Sequence, residues 1–170
     1  CFVIFLCITS LVICNIARVK LRNEQSVYIS ERLRLFIIPS LFITTPLFVQ
    51  QAYFVLQNIE FSFSMLIVTF VALLIALGLN NKVEFRFLSI FGLFIAFSCY
   101  QSFIIYYIGL LIFLAFLDVY KSWRDSTQTS LVVLFKTYIN PILDMLIAFV
   151  GYEIFLKVML HAFHLKASSY

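Results

Sequence analysis

Charge is what this 170-residue chain has least of. Asp, Glu, Lys and Arg make up 12% of it, about half the share usual in soluble globular domains. Hydrophobic residues make up 64%. A soluble domain of this length lies largely near its own surface and cannot hide that much apolar side chain. A bilayer removes the difficulty by acting as the apolar solvent. Glycine is also scarce, with four residues, and no Gly-rich phosphate loop occurs. The histidines and cysteines show no zinc-type spacing, so no metal site is expected. Cys1, Cys7, Cys14 and Cys99 lie in or beside apolar stretches and read as small buried apolar residues without a disulfide. There is no nucleophile–base arrangement and no pair of aspartates suited to acid–base work. Internal repeats and low-complexity tracts are missing too.

What is present fits a membrane. The 21 Phe and 9 Tyr suit packed membrane helices with rings at the interfaces. The net charge of +4 is no nucleic-acid signal, because the basic residues sit between apolar runs as loop anchors do. The chain opens on Cys1 inside an apolar run, with no basic region before it, unlike a signal peptide. It is read as a fragment lacking sequence before Cys1, and the residues that carry the chemistry are expected there.

A spanning helix needs roughly 20 apolar residues. The expected fold is an all-α, polytopic transmembrane helix bundle, one domain over 1–170 with about six spans at 1–16, 33–56, 61–79, 87–99, 102–117 and 141–160. Cytoplasmic linkers are expected at 17–32, 80–86 and 118–140. The apolar stretch 87–117 is interrupted by Ser98-Cys99-Tyr100-Gln101-Ser102. It reads as two helices joined by a tight polar turn, or alternatively as one long tilted helix. Loop charges favour the turn. Arg18, Lys20, Arg22, Arg32 and Arg34 follow the first span, Lys82 and Arg86 the third, and Lys121, Arg124 and Lys136 the fifth. The linkers after the second and fourth spans carry no Lys or Arg. Basic linkers thus alternate with non-basic ones, as the positive-inside rule demands. Residues 26–34 and 127–138 read as partly helical, the latter lying on the inner interface.

Most polar residues left unexplained fall on the outer side of this topology. Gln50, Gln51, Tyr53 and Gln57 crowd the outer third of the second span, where helix-to-helix hydrogen bonds are the plain explanation. Asn58 and Glu60 follow in an outer loop. Tyr100 and Gln101 sit at the outer turn; Tyr there serves as an anchor or as part of a site. Asn140-Pro141 followed by Asp144 reads as a helix start: a cap, a first-turn proline and an acid at the positive end. Glu153 lies near mid-depth of its span, and Lys157 and His161 follow at four-residue spacing along one face. Ionisable groups in hydrocarbon face a partner or a wet cavity. Either Glu153 and Lys157 close on each other as an ion pair, or this face lines a cavity for an anionic head group.

Three stretches carry a family resemblance. They are the run 46–65 with Gln57-Asn58, the Tyr100-Gln101-Ser102 turn between paired apolar helices, and Gly151-Tyr152-Glu153-Ile154-Phe155-Leu156-Lys157. Together they resemble the Gtr II glucosyltransferases, the membrane proteins that modify bacterial O-antigen in serotype conversion. The resemblance implies a multi-pass protein of the bacterial cytoplasmic (inner) membrane. It implies transfer of glucose from a polyprenyl-phosphate-linked donor to O-antigen, part of the lipopolysaccharide, on the outer side. The implied partners are the lipid bilayer, the lipid-linked sugar donor, a glycan acceptor, a flippase and a donor-lipid synthase, and no nucleic acid. No cofactor beyond the donor lipid is implied. Substrate-binding candidates are Gln57, Asn58, Glu60, Tyr100, Gln101, Glu153, Lys157 and His161. Family members carry an Asp in the loop after the Asn; here that stretch reads Glu60-Phe61-Ser62-Phe63-Ser64. Either Glu60 takes that catalytic role or this position is not catalytic in this chain. A transporter or flippase of lipid-linked sugars, or a polysaccharide polymerase, would use the same compartment and carrier.

Overall fold

The computed structural model describes residues 2–20, 58–124 and 131–163. Every regular element among them is helical. They are α1 (Phe2–Lys20), α2 (Asn58–Ala76), α3 (Val83–Cys99), α4 (Phe103–Arg124) and α5 (Leu131–Ala162), with a single 3-10 turn over Leu79–Asn81. Two stretches, Ile59–Ala76 and Phe103–Trp123, are long and apolar enough to cross a membrane. The expected span at 33–56 and the helical reading of 26–34 lie outside the described residues.

Helix α2 is the centre of the bundle and packs against α1, α3 and α4. Met65, Val68, Val71 and Ala72 along it are fully buried against Leu93, Ala96 and Phe97 of α3 and Tyr107 and Leu114 of α4. Close approach of α2 and α3 is permitted by Gly92, where a Cβ would stand 3.2 Å from the Ile67 methyl. Gly78, at φ 71°, ends the descent of α2: its N–H donates to the Ile75 carbonyl at 2.9 Å. Only glycine adopts that left-handed conformation without cost. Apolar side chains also cover the outside of the bundle, among them Phe91, Ile105, Ile112 and Phe116. Cys14 is buried as expected, but Cys7 and Cys99 lie exposed on helix surfaces.

Side-chain pairs fix the helix directions. Phe5 of α1 meets Phe63 of α2, and Phe61 meets Phe103 of α4. At the opposite end, Lys20 of α1 reaches Asp118 of α4. Helices α1, α2 and α4 therefore run the same way. Helix α5 runs parallel to α3, since Arg86 pairs with Asp144 and Phe94 with Phe155. The bundle thus has a turn end, around Tyr100, and a basic end, around Lys20 and Arg86. Lys20 and Asn58 stand at opposite ends.

The reversal at Tyr100 stands as read, and two other local readings are corrected. The chain is not helical through Tyr100: α3 stops at Cys99, Tyr100 is extended (φ −159°, ψ 114°), and α4 begins at Phe103. One long tilted helix is excluded. Asn140-Pro141 does not start a helix. Helix α5 begins at Leu131 and continues through Pro141. A proline removes one backbone donor, yet the helix is gripped on both sides, by the Tyr107 hydroxyl on the Pro141 carbonyl at 3.4 Å and by Arg86 on Asp144. Glu153 is not at mid-depth. The Gln101 amide in the turn reaches the Tyr152 hydroxyl, so Glu153 stands near the level of the turn end.

Candidate functional site at the turn end

The site is built around the three residues between α3 and α4. The Tyr100 N–H donates to the Ala96 carbonyl at 3.0 Å and ends α3; the Phe103 N–H donates to the Tyr100 carbonyl at 3.1 Å and starts the next turn. Tyr100 and Gln101 are left exposed at the tip. The Tyr100 ring stands edge-on to Phe61, at 6.1 Å between centroids, and to Phe103 at 6.3 Å. Edge-to-face geometry suits the ring quadrupoles. Phe61 is the residue after Glu60, so this cluster sets the exposed first turn of α2 beside the tip.

On the other side, Gln101 Nε2 donates to the Tyr152 hydroxyl at 3.2 Å. Tyr152 is buried, and Glu153 follows it in the chain. Lys157 and His161 continue the same strip of α5, both exposed. Glu153 and Lys157 form no ion pair, and no salt bridge among the described residues joins Glu60, Glu153, Lys157 or His161 to one another. Below the tip, Thr69 Oγ1 and the Tyr106 hydroxyl share a hydrogen bond of 2.8 Å, which ties α2 to α4.

Two ion pairs close at the basic end. Arg86 Nη2 and Nε donate to Asp144 Oδ1 at 2.7 and 3.1 Å. That hydrogen bond, and the carboxylate charge behind it, push the Arg86 guanidinium further above its usual range. Lys20 Nζ donates to both Asp118 oxygens at 2.8 and 2.9 Å, and the Tyr138 hydroxyl donates to Oδ2 at 2.6 Å. These contacts are self-satisfied clamps. Among the described residues no group of His, Cys, Asp and Glu is gathered to hold a metal ion.

A family model described as glucosyl transferase GtrII matches residues 1–170, the whole chain. The chain belongs to the GtrII glucosyl transferase family. It is a glycosyltransferase. No curated protein and no solved structure matches it at a significant level.

Within this GtrII chain the expected residues sort clearly. Tyr100 and Gln101 stand together at the tip, Glu60 beside them at the head of α2, and Glu153, Lys157 and His161 along α5. Asn58 opens α2, and Gln57 lies outside the described residues. Sequence reasoning missed Tyr152, the link between the tip and α5, and the Phe61–Phe103 support under Tyr100. It also missed both clamps at the basic end. Tyr152 sits inside the motif quoted for the family, but a tyrosine in an apolar run reads as an anchor, and nothing local marks its partner.

Proposed function

We propose that this GtrII chain transfers a glucosyl group from a polyprenyl-phosphate donor to O-antigen or a related surface glycan on the outer side of the bacterial inner membrane. The observation that carries the reading is the contrast between the two ends of the bundle. At the basic end Lys20 closes on Asp118 and Arg86 on Asp144, while Tyr100, Gln101 and Glu60 gather at the turn end, and Gln101 ties them through Tyr152 to the part of α5 that carries Glu153, Lys157 and His161. The apolar outer surface supports a multi-pass placement. The basic residues at the opposite end support an outward-facing turn end.

In the proposed reaction an acceptor hydroxyl attacks the anomeric carbon of the glucosyl donor. The bond from that carbon to the phosphate oxygen breaks, and polyprenyl phosphate leaves with the electron pair. Lys157 faces the phosphate and offsets the charge that grows on it. Tyr100 stacks on a sugar ring, Gln101 hydrogen-bonds sugar hydroxyls, and Glu60 is the candidate for the acceptor proton. A donor-lipid synthase and a flippase would supply the donor. The test is glycan modification in membranes holding equal amounts of protein. Lys157→Ala and Gln101→Ala are expected to lose most transfer; full activity in both would remove the site. Uptake of lipid-linked sugar without transfer would favour a flippase, and long product chains a polymerase.

A further inference from the structure

We infer that Tyr152 is a positioning residue of the transfer site, holding the Tyr100-Gln101 tip at a set distance from the Glu153–Lys157–His161 strip. The inference rests on the proposed site. Among the described residues, the bond from Gln101 Nε2 to the Tyr152 hydroxyl, at 3.2 Å, is the hydrogen bond that joins the tip to α5. The tip is exposed, and Tyr100 has left helical geometry. Tyr100 is held against Phe61 and Phe103, but an exposed turn tied on one side only still shifts relative to a helix on the other.

The helix on the other side of the bond is already fixed. Phe94 packs edge-on against Phe155 at 5.7 Å, and a Cβ on Gly151 would sit 3.8 Å from the Phe94 ring, an ordinary contact. Helix α5 therefore keeps its place without the Tyr152 hydroxyl. Removing the hydroxyl unties the Gln101 side of the tip from α5 and leaves both the helix and the Tyr100 packing standing. A phenylalanine would fill the same volume, so the role of the oxygen is to accept from Gln101. Tyr152 touches neither sugar nor phosphate in this account. It acts through Gln101, by keeping the acceptor-facing tip within reach of the donor phosphate at Lys157. Misplacing such a group weakens productive engagement of the acceptor more than it costs stability.

The experiment uses the full-length protein in inner-membrane vesicles, with polyprenyl-phosphate glucose as donor and O-antigen polysaccharide as acceptor. Tyr152→Phe is expected to raise KM for the acceptor about three- to ten-fold, the effect of one lost hydrogen bond, with kcat and unfolding temperature unchanged. Gln101→Ala is expected to raise it at least as much. The double variant should be no worse than Gln101→Ala alone, because both changes remove one bond. An unchanged acceptor KM in Tyr152→Phe, or effects that multiply in the double variant, overturns the positioning role. Full transfer in both Tyr100→Ala and Lys157→Ala would instead sink the site reading. Loss in those two beside an unaltered Tyr152→Phe sinks the positioning role alone.

Discussion

Arg86 and Asp144, 58 residues apart, form a two-pronged ion pair that fastens α3 to α5 at the basic end, with the carboxylate side chain only 1% exposed and the guanidinium 34%. The pair is lopsided. One charge is sealed in the bundle and depends on its partner; the other reaches the surface and has water as a second choice.

That lopsidedness sets the order of two substitutions. Arg86→Met leaves a buried carboxylate without a counter-charge and is expected to cost about 3–5 kcal/mol, a large part of a typical folding free energy. Asp144→Asn leaves an arginine that turns to water, at about 1–2 kcal/mol. Thermal unfolding in detergent should rank them in that order, and Arg86→Met combined with Asp144→Leu should recover much of the loss. Equal losses in the two single variants would show that the burial difference has no energetic meaning.

The second clamp predicts a pH response. Burial first, then the hydrogen bond to Asp118 and the charge on it, hold the Tyr138 phenol above the usual tyrosine range. An unfolded chain ionises its tyrosines near about pH 10. Because the folded value is raised, this contribution is complete below about pH 10 and is lost as pH climbs through the folded value. Unfolding temperature should stay flat between neutral pH and about pH 9, then fall. Tyr138→Phe should blunt part of that alkaline fall; an identical curve would reject the assignment.

Packing of α2 on α3 gives a prediction with two signs. A Cβ at Gly92 meets the methyls of Ile67 at 3.2 Å and Val71 at 3.5 Å, and both can yield slightly. Gly92→Ala gains helix propensity, up to about 1 kcal/mol, and spends it on the contact, so its unfolding temperature should barely move. Gly92→Leu has no room and should lose about 1–3 kcal/mol as overpacking. A tolerated leucine would mean that the two helices are not held as close as they stand.

The sequence was readable wherever the signal was local. The polar run at 98–102 and the alternation of basic linkers located the reversal at Tyr100, and the shortage of charge marked an all-helical apolar protein. It was unreadable wherever a partner lay far along the chain. Asp144 looked like a helix-start acid because Asn140-Pro141 stands just before it; Arg86, distant in sequence, decides its role. The cap pattern was overridden by helix α5, which starts at Leu131 and is held across Pro141 by Tyr107 and Arg86. Glu153 was set too deep for the same reason, since the helix that carries it begins earlier. Asp118 and Tyr138 carry no spacing that announces Lys20.

Tyr100 separates a sugar-stacking surface from a mere plug. Its ring leans on Phe61 and Phe103 and is still 41% exposed, so one face is supported and another is open. An aromatic contact of this kind contributes about 0.5–1.5 kcal/mol beyond burial, which corresponds to roughly a two- to twelve-fold change in affinity. Tyr100→Phe retains the ring and should keep nearly all transfer. Tyr100→Ala removes it and should raise acceptor KM by roughly that factor, with an unfolding temperature lowered by no more than the loss of its packing on Phe61 and Phe103. If the ring served only to cover Phe61 and Phe103, Tyr100→Ala would lower the unfolding temperature and leave acceptor KM where it was. Measuring both quantities on the same two variants decides between the roles, since stacking on a sugar moves the first and packing on a neighbour moves the second.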